Sequence, residues 1–238
     1  MKKLIESSKD YLDYLEKWLA DLPVITASSN GLGAGNSAVL VVDMINGFCN
    51  EGVLASPRVK NIIPAVVNLL ETAWHSGVRD MYLLNDSHAP DAPEFAAFPA
   101  HCVRGTIESL PVQEIQDLEF FDQIRQIQKN TLSSTHETTL LASLHERPEL
   151  KNFIIAGNCT DLCVYQLAME LRIDANVRQL NDISIIVPEN CVATYDTPLE
   201  LALKIGAAAH PGDLIHALFL HHMALNGIAV VKAVTFKG

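Results

Sequence analysis

The sequence lacks a surplus of positive charge, since 17 Lys and Arg residues stand against 28 Asp and Glu residues and the formal net charge is −11. Without a basic patch to neutralise phosphate groups, we expect no nucleic-acid partner, and an anionic membrane surface is disfavoured for the same reason. No apolar run approaches the roughly 18 residues of a membrane span. The charged N-terminus also has no apolar core of a signal peptide. These absences predict a soluble protein with no membrane partner.

The sequence also lacks the cysteine pattern of a disulfide framework or of a cysteine-based zinc site. Its cysteines form an odd set without a Cys-x-x-Cys pair. They are Cys49, Cys102, Cys159, Cys163 and Cys191. Unpaired cysteines are typical of a reducing compartment, so we expect a cytoplasmic protein.

Apolar residues make up 49% of the 238 residues and charged residues 19%, which indicates a packed globule. From residue 38 onward, short apolar runs alternate with amphipathic segments. The predicted strands cover 39–43, 81–84, 124–129, 153–156, 183–187 and 228–234. Strands that alternate with helices form parallel sheets, with right-handed crossovers covering both faces. We therefore predict a Rossmann-like α/β fold, namely a single-domain three-layer α/β/α structure around a mostly parallel six-stranded sheet.

The first 37 residues differ from the alternating pattern that follows them. Residues 4–20 have apolar side chains mainly on one side, which predicts an amphipathic helix that packs on the main domain or on another subunit. Residues 26–37 are rich in Gly, Ser and Asn. Their glycines precede a strand instead of following one, which favours a linker over a dinucleotide-binding loop. We divide the chain into an N-terminal helix and Gly/Ser-rich linker, residues 1–37, and a main domain, residues 38–238.

The stretch that begins at Gly157 places a cysteine where a thiol can be reactive. The apolar run 153–156 before it predicts a buried strand, and the spacing of apolar residues after it places Cys163 in the first turn of a helix. We expect Thr160 or Asp161 to cap this helix. A helix N-terminus lowers the pKa of a thiol, and its free N–H groups can hold an oxyanion. The stretch therefore predicts a reactive thiol, with a buried structural cysteine as the alternative.

Two further reactive side chains follow other predicted strands. Asp43 ends the first strand of the main domain, and Lys129 ends the third. Because ligands of open α/β sheets bind beyond the carboxyl ends of the strands, we expect both side chains to lie near Cys163. A carboxylate can take the proton of a thiol and return it to a leaving amine, and a nearby ammonium group favours the thiolate. The alternative is an Asp–Lys ion pair beside an unrelated thiol.

The loop after the second predicted strand gathers two imidazoles and two carboxylates. These side chains suit Zn²⁺ or another divalent first-row metal ion, with solvated loop residues as the alternative. They belong to Asp86, His88, Glu94 and His101. Four other histidines have almost no acidic neighbours in the sequence and are interpreted as surface or core residues of a C-terminal helix. These are His210, His216, His221 and His222.

Four motifs can be read along the main domain. The first is Asp43-x-x-Asn46-x-Phe48, and the second is Asp86-x-His88 followed by Phe98-Pro99-x-His101-Cys102-x-x-Gly105-Thr106. The third is Lys129-Asn130, and the fourth is Thr160-Asp161-x-Cys163-Val164. Together they resemble the isochorismatase-like cysteine hydrolases, and within them the nicotinamidase branch, from about residue 38 to residue 187. The sequence departs from the family at Ile45, Gly47 and Phe98, where Gln, Asp and Trp are more usual.

The resemblance implies an isochorismatase-like fold for the main domain and amide hydrolysis through a thioester intermediate. Cys163 would attack the carboxamide carbon, Asp43 would act as general base and acid, and Lys129 would support both. A cis peptide between Asn158 and Cys159 would turn the amides of Cys159 and Cys163 into an oxyanion hole.

The resemblance also implies one divalent metal ion, Zn²⁺, with Fe²⁺ or Mn²⁺ as alternatives. Its ligands would be Asp86, His88, His101 and, near or on the ion, Glu94. The ion would hold the ring nitrogen of nicotinamide, a small carboxamide consumed in NAD salvage, with Phe48 and Phe98 flanking the ring. We further expect a homo-oligomer. The alternatives are a metal-independent member that acts on another small amide, a carbamoyl compound or a vinyl ether, and a non-catalytic binding module.

Overall fold

The computed structural model describes residues 3–236, in which strands alternate with helices. The strands are β1 (Val24–Thr26), β2 (Ser37–Val42), β3 (Asp80–Asp86), β4 (Arg125–Lys129), β5 (Asn152–Asn158), β6 (Ser184–Pro188), β7 (Val192–Ala193), β8 (Ala229–Val231) and β9 (Ala233–Thr235). The helices are α1 (Leu4–Ala20), α2 (Asn46–Cys49), α3 (Pro57–Lys60), α4 (Ile63–His75), α5 (Gln113–Gln116), α6 (Leu140–His145), α7 (Cys163–Val177), α8 (Leu199–Ile205) and α9 (Gly212–Leu225). None of these helices is long and apolar enough to cross a membrane.

The central sheet has the strand order β4-β3-β2-β5-β6-β8, and all of these strands run parallel. Helices pack on both faces, so the predicted single-domain α/β/α fold is confirmed. Short strand β7 pairs with the end of β5 and was not predicted. The single strand predicted over 228–234 is wrong, because the chain changes sheets at Lys232. The backbone N–H of Lys232 donates to the carbonyl of Pro23, and β9 then pairs with β1 in a separate two-stranded sheet.

The two faces of the central sheet bury alternate residues of the same strand, as the two-residue period of a strand requires. Val39 and Val41 of β2 face a core formed with α4, while Leu40 and Val42 face a core formed with α7 and α9. Every residue of β2 is buried. Because both faces are apolar, the polar side chains of a functional site can gather only at the strand ends.

Helix α1 spans the residues predicted for it and packs on α9 of the same chain. Leu15 is buried, and the Trp18 ring lies 4.9 Å from the ring of His221. The Tyr11 hydroxyl lies 3.0 Å from Nδ1 of the same histidine. The sequence predicted that this helix packs on the main domain or on another subunit, and the structure shows its contact with the main domain.

The predicted linker is more structured than its composition indicates. Strand β1 precedes a short 3₁₀ helix, Ser28–Asn30, and both lie before β2. The division into residues 1–37 and 38–238 stays a prediction. Residues 1–2 and 237–238, at the ends of the two predicted segments, lie outside the described part of the chain.

Gly157, the residue before the last of β5, lies against the end of β2. Gly157 has a φ of +113°, and a Cβ built at this position would lie 1.9 Å from the carbonyl oxygen of Val42. Only glycine allows so close an approach of two backbones together with this φ. The contact fixes the position from which the chain turns toward Cys163.

We predict that Gly157→Ala lowers the free energy of unfolding by about 3 kcal/mol or more, because it adds a steric clash to an unfavourable φ. The measurement is urea denaturation of both proteins. The matched control is Gly206→Ala. Gly206 has a φ of +72°, and among residues 3–236 no atom outside Gly206 and its two chain neighbours lies within 4 Å of its added Cβ. The control should therefore lose only about 1–2 kcal/mol. Equal losses in the two variants would show that the approach to Val42 has no energetic role.

Candidate active site

Four strand ends meet at one edge of the central sheet and carry the predicted site residues. Asp43 follows β2, Asp86 ends β3 and Lys129 ends β4. The register of β3 with β4 pairs Asp86 with Lys129, and the end of β2 pairs with Gly157. The turn that leads from Gly157 to Cys163 therefore begins beside Asp43. The structure thus brings together the three residues predicted to be catalytic.

The Lys129 ammonium group is the centre of the buried charges. Its Nζ lies 2.7 Å from Asp43 Oδ2, 2.5 Å from Asp86 Oδ1 and 3.4 Å from Cys163 Sγ. The Asp43 Oδ1 atom accepts the backbone N–H of Asp86 at 2.7 Å. All four side chains are buried. One cation therefore contacts both carboxylates and the thiol.

These contacts give each carboxyl group a different protonation behaviour. Burial raises the pKa of Asp43 to about 7, and the negative charge of Asp86 acts in the same direction against the attraction of Lys129. Burial favours the neutral form of Lys129, but the two carboxylates raise the pKa of its ammonium group well above the usual value. At Asp86, burial is outweighed by Lys129, so the pKa of Asp86 is lowered. Asp43 is therefore the carboxyl group of this pair that can exchange a proton near neutral pH.

Cys163 is the first residue of α7, in the turn where the sequence predicted it, but its thiol is not acidic. Burial raises the pKa of Cys163 well above its usual value, and the Lys129 ammonium offsets only part of this effect. The lowered pKa expected from the helix N-terminus is therefore wrong, because the loss of solvation is the larger effect. The thiol is neutral at rest and needs a base to become a nucleophile.

The side chains predicted to cap α7 contact histidines instead. Leu162 occupies the cap position. Thr160 Oγ1 lies 2.8 Å from His216 Nδ1, and Asp161 Oδ2 lies 2.9 Å from His210 Nε2. His210 was interpreted as a helix-surface or core residue because it has almost no acidic neighbours in the sequence; its acidic partner in the structure, Asp161, comes from a distant part of the chain.

The backbone before Cys163 matches the predicted arrangement. The Asn158–Cys159 peptide is cis. Within residues 3–236, the amide N–H groups of Cys159 and Cys163 have no hydrogen-bond acceptor, so both can donate to a substrate oxygen. The Asn158 side chain donates to the carbonyl of Asp43 at 2.5 Å, which holds this turn against the loop that carries the carboxylate. The role of the two amides as an oxyanion hole stays a prediction.

Asp86, His88 and His101 form a cluster whose potential ligand atoms lie within 4.8 Å of one another. Asp86 Oδ2 lies 3.5 Å from Nε2 of His88 and 3.9 Å from Nε2 of His101. Although His88 is fully buried, neither of its ring nitrogens hydrogen-bonds to any residue that the structure describes. A buried polar group without a partner is costly, and one carboxylate with two imidazoles is a donor set that Zn²⁺ accepts. The three residues therefore fit a divalent metal ion.

Glu94, the fourth predicted ligand, lies outside this cluster. Its half-buried carboxylate lines the cavity beside the cluster. Burial and the charge of Asp86 raise the pKa of Glu94. The structure places Glu94 near the cluster, and direct ligation by it stays a prediction.

A cavity of about 270 Å³ is lined by the thiol, by Asp43 and by part of the metal-ligand cluster. Phe48 and Phe98 line it as well, with ring centroids 5.6 and 6.2 Å from that of His101. The sequence analysis missed the other lining residues, which are Val53, Leu54, Ala55, Ser56, Pro57, Val59, Leu132, Leu162, Tyr195, Asp196 and Thr197. They belong to no recognised motif. The only sequence feature that could have pointed to any of them is weak: the segments that contain Leu132 and Tyr195 each follow the end of a strand.

This fold and site define a hydrolase of the isochorismatase family. The family model described as "Isochorismatase domain" matches residues 37–230, so the chain belongs to this family. The match covers the central sheet up to the second residue of β8 and all the residues of the candidate site.

The chain is also similar to three named proteins. It is 28% identical over 214 residues to Nicotinamidase 1 of Arabidopsis thaliana, covering 84% of this chain and 86% of the relative. The structure of N-carbamoylsarcosine amidase from Thermoplasma acidophilum is 25% identical, with a TM-score of 0.61 over 83% of this chain and 96% of the other. The pyrazinamidase of Pyrococcus horikoshii in complex with zinc is 23% identical, with a TM-score of 0.64 over 83% and 99%. The predicted resemblance to this family and its nicotinamidase branch is confirmed.

We predict that Lys129→Met lowers the free energy of unfolding by about 3–5 kcal/mol, because it leaves two buried carboxylates without their counter-charge. Urea denaturation near pH 7.5 measures the loss. The matched control is Lys151→Met, which removes an ion pair with Asp182 whose side chains are 36% and 62% exposed. An exposed pair contributes only about 0–1 kcal/mol. A loss at Lys129 no larger than at Lys151 would contradict the central place of this ammonium group.

Proposed function

We propose that this hydrolase converts nicotinamide and water to nicotinate and ammonia through a thioester on Cys163. One observation carries the proposal: Lys129 of the Cys163, Asp43 and Lys129 set contacts Asp86 of the metal-ligand cluster, and both groups of residues border the same cavity. Hydrolysis of an amide needs only the first group of residues. A substrate that also carries a metal-binding ring nitrogen, on the ring position next but one to the carbon that bears the carboxamide, would use both groups of residues.

In the first half of the proposed reaction, Asp43 takes the proton of the Cys163 thiol, and Sγ attacks the carboxamide carbon. The amides of Cys159 and Cys163 donate to the oxygen that becomes negatively charged. Asp43 then gives the proton to the nitrogen, the C–N bond breaks, and ammonia leaves. A pKa of about 7 allows Asp43 to accept and release this proton near neutral pH.

In the second half, water attacks the thioester carbon while Asp43 accepts a proton from it. The C–S bond breaks, nicotinate is released, and the proton returns to Sγ. Lys129 stays charged throughout because its pKa is raised well above the usual value. Its role is to hold Asp43 in place and to favour the thiolate when the proton moves.

Asp86, His88 and His101 would hold one divalent metal ion, with Zn²⁺ as the preferred ion, Fe²⁺ or Mn²⁺ as alternatives, and Glu94 as a further candidate ligand. Such an ion supplies a Lewis acid that binds the pyridine nitrogen and so orients the ring. Phe48 and Phe98 would flank the flat ring, which suits aromatic contacts. A cytoplasmic location and a homo-oligomeric state stay predictions from the sequence.

We predict that Cys163→Ala lowers kcat by about 10⁴-fold or more, because the variant has no nucleophile. The measurement is ammonia release from nicotinamide at saturating concentration. The matched control is Cys191→Ala, since Cys191 is also buried but does not line the cavity. It should keep the wild-type kcat. Full activity in the Cys163 variant would end the thioester mechanism.

The substrate assignment is tested by ammonia release from nicotinamide, pyrazinamide and benzamide at equal concentrations. Benzamide keeps the ring and the amide but lacks the ring nitrogen. We predict that its kcat/KM is about 10- to 100-fold lower than that of nicotinamide, as for an interaction with a charged group worth about 1.5–3 kcal/mol. Equal turnover of benzamide and nicotinamide would replace the metal-anchored assignment with a general aryl amidase.

The same assay with His88→Ala connects the preference to the metal-ligand cluster. This variant should lose bound metal, measured by elemental analysis, and should no longer prefer nicotinamide to benzamide. His75→Ala is the control, because His75 lies at the end of α4 and outside the cavity. Metal-free wild-type protein that keeps its preference would contradict this use of the cluster.

A further inference from the structure

One wall of the cavity comes from a segment that the proposed mechanism does not use. Tyr195, Asp196 and Thr197 line the cavity together with Cys159 and Cys163. They follow β7, whose pairing with the end of β5 brings this segment beside the nucleophile turn. The Tyr195 side chain is half-buried, and burial raises the pKa of its phenol to about 12, so the hydroxyl stays neutral. Tyr195, the largest side chain of this wall, is therefore uncharged.

His210 holds this wall from behind without lining the cavity itself. Its ring stacks on the Tyr195 ring, with centroids 3.8 Å apart and an angle of 16° between the planes. Its Nδ1 lies 3.0 Å from the backbone oxygen of Tyr195. The backbones of His210 and Thr197 also exchange hydrogen bonds of 2.8 and 2.9 Å. Four contacts therefore fix Tyr195 and its neighbours relative to His210.

His210 also contacts the segment that leads to Cys163. Its Nε2 lies 2.9 Å from Asp161 Oδ2, and the two side chains are only 13% and 7% exposed. The other carboxylate oxygen, Oδ1, has no hydrogen-bond partner among residues 3–236. His210 is therefore the partner on which the buried Asp161 depends. Asp161 lies two residues before Cys163, so the position of Tyr195 is tied to that of the thiol.

Both ring nitrogens of His210 face acceptors, one a carbonyl and the other a carboxylate. The ring therefore contacts the backbone of Tyr195 with one nitrogen and the carboxylate of Asp161 with the other, while its face stacks on the phenol ring of Tyr195.

We propose that His210 is a positioning residue that fixes Tyr195 relative to Cys163, and that Tyr195 sets the largest acyl group the cavity accepts. The identity of the acyl group rests on the proposed function, but the size limit does not. The favoured substrates are amides of a single flat ring. In this proposal the Tyr195 ring, as a wall of the cavity, limits the room for a second ring, so amides with a fused second ring are poor substrates.

The experiment uses the full chain with Tyr195→Ala, His210→Ala and the double variant. One readout is the kcat/KM of quinoline-3-carboxamide divided by that of nicotinamide, since the quinoline adds one fused ring and keeps the nitrogen and the carboxamide. The other readout needs no turnover. It is the rate of Cys163 alkylation by N-phenyl iodoacetamide divided by the rate with iodoacetamide, located by peptide mass spectrometry. A loss of folded protein lowers both kcat/KM values equally and leaves their ratio unchanged. The alkylation rates are compared only for variants that circular dichroism shows to be folded, because unfolding would expose the buried thiol to both reagents.

We expect Tyr195→Ala to raise both ratios by about tenfold or more, the scale on which pocket size discriminates substrates. His210→Ala should raise them by a smaller factor, and the double variant should match Tyr195→Ala alone, because His210 acts through Tyr195. The control is His222→Ala, which removes an exposed histidine that contacts Tyr165 away from the cavity. Its ratios should equal those of the wild type. If an alanine variant fails to fold, Tyr195→Leu or His210→Gln replaces it.

Unchanged ratios in folded Tyr195 and His210 variants would overturn the proposal. Ratios that rise further in the double variant would also overturn it, because His210 would then act independently of Tyr195. A wild-type protein that releases no ammonia from nicotinamide would refute the proposed function. The alkylation ratios would still decide the size limit in that case.

Discussion

The ammonium group of Lys129, buried between the carboxylates of Asp43 and Asp86, is the interaction on which the rest of the site depends. Two buried carboxylates so close together would not both ionise without a cation. The three groups can be buried because the ammonium group neutralises the carboxylates that contact it. Removal of one partner would leave an uncompensated charge in the interior. The strand order places β3 between β2 and β4, so the three side chains arise from adjacent strands. The sheet topology is therefore a direct cause of the chemistry.

Asp86 belongs to both halves of the site. Its Oδ1 contacts Lys129, while its Oδ2 faces the two histidines of the metal-ligand cluster. The lowered pKa of Asp86 keeps it charged for both partners. This sharing explains why the residues proposed to transfer protons and the predicted metal ligands lie beside one cavity and not in separate pockets.

The charge state of Cys163 shows how two effects at the same atom compete. A helix N-terminus stabilises a thiolate, and the thiol lies at the first residue of α7. Removal of the thiol from water opposes this stabilisation, and burial raises the pKa of Cys163 despite the nearby ammonium. In the proposed mechanism the nucleophile is therefore formed by proton transfer from Cys163 to Asp43 when a substrate is present. A neutral resting thiol is also less open to oxidation and to unwanted alkylation.

The fold and the side chains that meet in the candidate site could be predicted from the sequence, because they depend on local patterns. Apolar runs marked the central strands, and Asp43, Asp86 and Lys129 stood out as polar residues directly after such runs. Cys163 stood out because a strand, a glycine and a helical pattern follow one another there. The strand predicted over 228–234 was wrong because its apolar pattern is continuous across Lys232, where only the pairing partners change.

What only the tertiary structure decided are the properties that depend on contacts between distant segments. The pairing of Asp161 with His210, the cavity wall at Tyr195 and the partners of α1 could not be read from spacing, since no local pattern records which loops meet. The neutral state of the Cys163 thiol was hidden for the same reason. A pKa in the interior is set by the number of atoms that exclude water and by charges brought in from other strands, and both quantities exist only once the chain has folded.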